Sequence, residues 1–107
     1  MIEIQAKADR FGRYSVTVQG HAEKSRECCA AVSAIMVALQ GWMENDLSPA
    51  ERSVKIESGL ARLEWRSAAP RGADVYDMAT IGLLAIAGQY PDEMKMTLEE
   101  DRTNAAF

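Results

Sequence analysis

Histidine and cysteine are both scarce in this chain, which has one histidine, His21, and two neighbouring cysteines, Cys28 and Cys29. Adjacent cysteines do not meet the geometry of an easy intrachain disulfide, and no second pair exists to build a disulfide framework. Both are expected to be free thiols in a reducing, cytoplasmic setting. One histidine beside two adjoining cysteines also falls short of the spaced four-ligand set of structural zinc, so no metal and no other cofactor is expected. No phosphate-binding glycine loop and no Ser-His-Asp arrangement is readable. Basic residues are scattered and outnumbered, 12 Lys and Arg against 16 Asp and Glu for a net charge of −4. That argues against nucleic acid, where a basic face is the usual footprint, and against an anionic membrane surface; a basic peptide or protein partner stays compatible. No apolar run approaches the roughly 20 residues needed to span a bilayer. The opening "MIEIQAKADRF" alternates polar and apolar residues, and so reads as a strand rather than a signal peptide.

What is present is an ordinary globular composition, 48% hydrophobic and 26% charged, in a length that suits one domain, residues 1–107, around one core. Ile2, Ile4, Ala6 and Ala8 alternate with polar residues, as do Tyr14, Val16 and Val18. That period of two marks two half-buried strands, joined as a hairpin through Asp9 to Gly12. A second hairpin is expected from Val54 and Ile56 to Leu63 and Trp65, turning near Ser58-Gly59. A last strand fits Met94, Met96 and Leu98. Two helices interrupt the strands, one from about Ser25 to Asn45 and one from about Asp74 to Tyr90, the latter stopped by Pro91. The order ββαββαβ predicts a single-domain α+β sandwich with two helices packed on a mostly antiparallel sheet. The final strand is free to pair parallel. Residues 102–107, "RTNAAF", are expected to be a frayed tail.

The first helix is apolar almost all round, from Ala30 to Leu39, which predicts burial on most sides. Its few polar residues then show which face reaches water or a cleft. Ser33, Gln40 and Glu44 fall on one stripe, and four residues back from Ser33 is Cys29. The opposite stripe, Trp42, Leu39, Ile35 and Val32, leads back to Cys28. Helical phase therefore assigns Cys28 to the core. It leaves two readings of Cys29: a small packed side chain, or a thiol turned to a cleft. With Ser25 as a plausible N-cap, both cysteines stand in or just beyond the first turn, where free N–H groups and the helix dipole stabilise an anion. A thiol there, with an imidazole available, has the chemistry of a cysteine nucleophile. Met36, Met43, Met78, Met94 and Met96 fall on core-facing phases. Gly82 and Gly88 suggest close packing of the second helix against the first or the sheet. Glu99, Glu100 and Asp101 read as a solvated charge run.

"GHA", a short loop and then "CAAVSA" resemble the ribosomal-processing cysteine protease family, Prp, and the late "GLLAIAGQYPDEMKMTLEE" keeps the family's order. The resemblance implies an α/β sandwich, usually dimeric, with a histidine–cysteine dyad. Carried over, His21 is the base and Cys29 the nucleophile. Ser33 is the serine one turn along beside the thiol, and Gly20 shapes the loop that aims the imidazole. The implied activity is removal of a terminal extension from a ribosomal or phage structural protein, so the implied partners are a protein or peptide substrate and a second copy of the chain. This sequence departs from the family in its short His–Cys loop, the seven residues "AEKSREC". Arg26 stands where the family has an aspartate, and Glu23 or Glu27 is left as a candidate acid for His21. The short loop also motivates two alternatives: a Prp-like binding or assembly protein without proteolysis, and a plain structural homodimer.

Overall fold

The computed structural model describes residues 1–102. Strands β1 (Ile2–Asp9) and β2 (Arg13–Gly20) form the first hairpin. The Asp9 carboxylate closes its turn, accepting from the backbone N–H of Phe11 at 2.8 Å and of Arg13 at 3.0 Å, as short acidic side chains do in turns. The register pairs Ile4 with Val18, Ala6 with Val16 and Ala8 with Tyr14, so the apolar residues of the two strands fall on one face. β3 (Arg52–Glu57) and β4 (Leu60–Arg66) make the second hairpin, and β4 joins β2 antiparallel. β5 (Met94–Asp101) lies parallel to β1. The sheet order is β3-β4-β2-β1-β5.

Two helices cover one face of this sheet, α1 (Arg26–Asp46) and α2 (Pro70–Gln89). The arrangement is the α+β order expected from the sequence, with β5 taking the parallel option. Ser25 caps α1, its hydroxyl accepting from the Cys28 N–H at 3.2 Å. The other end of α1 has no basic residue in its last turn. Arg52 from β3 supplies the missing donor, its Nη1 reaching the carbonyls of Met43, Glu44 and Leu47 at 3.2, 3.2 and 2.6 Å. The helix that carries both cysteines is thus fastened at both ends.

The core is built from β1, β2 and β4 against α1 and α2, with Tyr76, Met43, Leu63, Leu83, Val16 and Cys28 fully enclosed. Tyr14, Trp65 and Tyr76 cluster at its centre, with Tyr14 5.5 Å from Trp65 and 5.4 Å from Tyr76 between ring centroids. Gly82 is where the helices meet closely: a β-carbon there would lie 2.8 Å from Ile35 Cδ1. Gly88 has no such role, since nothing approaches within 4 Å of its would-be β-carbon.

Four expectations are corrected. α2 begins at Pro70, not near Asp74; the fixed φ and missing N–H of proline suit the first helical position. α1 is buried along Cys28, Val32, Met36, Leu39 and Met43 only, while Val37 is 68% exposed. Met78 is not a core residue either, at 78% exposed. Helices laid on a single sheet have an outer side that no element covers, whatever its composition. Arg102 is not frayed: it pairs with Asp77 and Glu100, each at 2.8 Å. The rest of the expected tail, 103–107, lies outside the described residues.

Candidate active site

The end of β2, the turn between β3 and β4, and the first turns of α1 converge on one small open cleft of about 160 Å³. Its lining includes Gly20, His21, Cys29, Ser33, Ile56 and Gly59. All four residues singled out in the sequence therefore face the same space, although they come from two elements and their connecting loop.

Gly20 makes the exit from the sheet. Its φ of +90° is one that side chains rarely adopt, and a β-carbon there would collide with the Met1 carbonyl oxygen. Its N–H donates to the Gly59 carbonyl at 2.9 Å, tying the end of β2 to the β3–β4 turn. His21 follows directly and is solvent-exposed. Its Nε2 sits over Gly59, 3.5 Å from where a β-carbon would be. It is the turn's backbone, with φ +74° at this position, that calls for glycine there.

Cys29 stands four residues past the Ser25 cap and is half-buried. Its Sγ accepts a hydrogen bond from the Ala22 backbone N–H at 3.3 Å. Ser33 lies one turn further along the same stripe, exposed, in the same cleft. Cys28 is the opposite case. It is fully enclosed in the core, and burial pushes its thiol pKa up, with Cys29 and Glu93 adding to the rise. Helical phase separated the two cysteines correctly, because one residue of α-helix turns a side chain by about 100°.

Among the described residues no hydrogen bond joins the His21 imidazole to the Cys29 thiol, and no carboxylate holds the imidazole. Glu27 accepts instead from the Ser25 hydroxyl at 3.2 Å, and Glu23 faces the terminal amine at 3.9 Å. The acid that the sequence did not single out is Glu93, just ahead of β5. Its carboxylate accepts from the Lys24 N–H at 3.1 and 3.2 Å and from the Ser25 N–H at 3.1 Å. These contacts cross 68 and 69 residues of chain, so no local pattern could have revealed them. The only sequence signal is an acidic residue at the entrance to a strand. Among the described residues, no group of three or more His, Cys, Asp or Glu side chains could hold a metal ion, and no helix is long and apolar enough to cross a membrane.

Gly20→Ala places a β-carbon both at positive φ and against backbone. It is expected to cost about 2 kcal/mol, lowering Tm by roughly 10 °C. A thermal melt followed by circular dichroism checks it, and a variant as stable as the parent would contradict the account of this corner.

No protein-family model matches the sequence, and neither does any curated protein. Solved structures do match it. The ribosomal processing protease Prp from S. aureus, in complex with a covalently linked product peptide, superposes with a TM-score of 0.78 at 16% identity, over 92% of this chain and 100% of that one. The same protease in complex with a substrate peptide gives 0.70 at 16% identity, with the same coverage. A Streptococcus mutans protein, SMU.848, gives 0.68 at 20% identity, over 94% of this chain and 96% of that one. At these identities the likeness is one of fold: this chain has the fold of the S. aureus protease along nearly its whole length.

Proposed function

We propose that the chain is a small cysteine endopeptidase with Cys29 as nucleophile and His21 as base, cutting a terminal extension from a ribosomal or phage structural protein. One observation carries this reading. The only histidine and the only exposed-face cysteine line one cleft, with a backbone N–H on the sulfur, in a fold shared with a protease that holds a covalently linked product peptide.

The chemistry follows from the residues. Transfer of the Cys29 proton to His21 gives a thiolate, held by the Ala22 N–H and the start of α1. The sulfur bonds to the peptide carbonyl carbon, and backbone N–H groups at the start of α1 take the charge that develops on oxygen. The imidazolium gives its proton to the leaving amine as the C–N bond breaks. Water, with its proton drawn to His21, then cleaves the thioester and restores the thiolate. Ser33 places a hydroxyl on the same wall as the sulfur, and Gly20 sets the direction in which His21 leaves the sheet. His21 and the thiol sit close enough to share a cleft without a bond between them, as resting acid–base pairs often do before substrate closes the gap.

Site-resolved iodoacetamide labelling near neutral pH tests the dyad. Cys29 is expected to react about tenfold or more faster than Cys28. In His21→Ala that advantage is lost. Equal, slow labelling of both cysteines would sink the proteolytic reading and leave a binding or assembly role.

A second copy of the chain is the expected partner besides substrate. Val37 on α1 and Met78 and Ile81 on α2 are 68%, 78% and 67% exposed, large apolar side chains that a second copy would cover. Analytical ultracentrifugation at micromolar concentration is expected to show a dimer, which Ile81→Glu disrupts; a monomer at that concentration would refute it. The two free thiols suit a reducing, cytoplasmic compartment.

A further inference from the structure

The loop from His21 to Cys29 is short, and four of its backbone N–H groups are held by side chains. Ala22 N–H goes to Cys29 Sγ, Lys24 and Ser25 N–H go to the Glu93 carboxylate, and Cys28 N–H goes to the Ser25 hydroxyl. Glu93 itself is fixed from both sides. Its N–H donates to the Tyr90 carbonyl at 3.0 Å, and its carbonyl accepts from the Ile2 N–H at 2.8 Å, at the head of β1. The carboxylate is therefore a post standing on the sheet, from which the loop hangs by two consecutive N–H groups. Consecutive N–H groups at a helix start are a good anion seat, and here the anion is part of the protein.

Resting on the proposed dyad, we propose that Glu93 is a positioning residue: it holds the His21–Cys29 loop in the one conformation that brings Ala22 N–H onto the thiol. Two effects of this carboxylate on Cys29 oppose one another. Its negative charge works against charge building up on a nearby sulfur as it reacts, whereas its grip on Lys24 and Ser25 keeps a donor on that sulfur. The charge is shared with solvent and with two N–H groups, while the donor touches sulfur directly. Positioning outweighs the charge.

The opposing signs make the test specific. In Glu93→Met, which keeps the length of the side chain but has no oxygen to accept, the charge effect alone would make Cys29 more reactive. Loss of positioning makes it less reactive, by about tenfold at neutral pH, the scale of one hydrogen bond to an ionised group. The second readout is amide hydrogen exchange by NMR, in which Lys24 and Ser25 lose protection in Glu93→Met while the core strands keep theirs. Glu93→Asp retains the charge but is one methylene too short to reach both donors, so it is expected to lose the same protection; Asp92→Asn, its exposed neighbour, is expected to change neither readout. Unchanged protection of Lys24 and Ser25 in both Glu93 variants would overturn the proposal, as would Cys29 labelling that is unchanged or faster in Glu93→Met. Exchange reports on Glu93 even if wild-type Cys29 proves no more reactive than Cys28, so failure of the dyad and failure of the post are separate results.

Discussion

The hydrogen bond from the Ala22 N–H to the Cys29 sulfur, 3.3 Å long, is the contact on which the rest of the site depends. It joins the strand end that delivers His21 to the helix start that delivers the thiol. It exists only because each side is fixed independently. On the sheet side, Gly20 turns the chain at positive φ and bonds to Gly59. On the helix side, Ser25 caps α1 at one end and Arg52 gathers its last carbonyls at the other. The loop between is short, and the Glu93 carboxylate accepts from two of its N–H groups.

This division of labour explains how two adjacent cysteines come to differ so much. Cys28 is enclosed with the core residues Val32 and Met36, one and two turns further along the same helix face, and there a thiolate would be stripped of water. Cys29, rotated by about 100°, meets a backbone donor and a cleft instead. The imidazole hangs over a glycine, exposed and free of any carboxylate among the described residues. On the proposed reading, with His21 as base, substrate itself would complete the alignment.

Much of this was legible in the sequence because the relevant patterns are local. Alternation gave the strands, and helical phase told Cys28 from Cys29. The order of elements gave the α+β sandwich. Where the reading failed, the cause was contact between distant residues or its absence. Val37, in a helix apolar almost all round, and Met78, on a core-like phase, both lie outside, because only tertiary packing decides which side of a helix is covered. α2 starts at Pro70, ahead of the apolar repeat that announces it. Glu93 carries no local signature at all. Its role depends on where β5 enters the sheet beside β1, which strand alternation leaves open.

The central claim, that Cys29 is the nucleophile of a peptide-cutting site, is tested most directly by incubating the purified chain with a diverse peptide mixture and reading new termini by mass spectrometry. The account predicts cleavage at a limited set of sequences by the wild type, with every cut absent in Cys29→Ser and retained in Cys28→Ser. No cleavage by the wild type, or cuts that persist in Cys29→Ser, would contradict it.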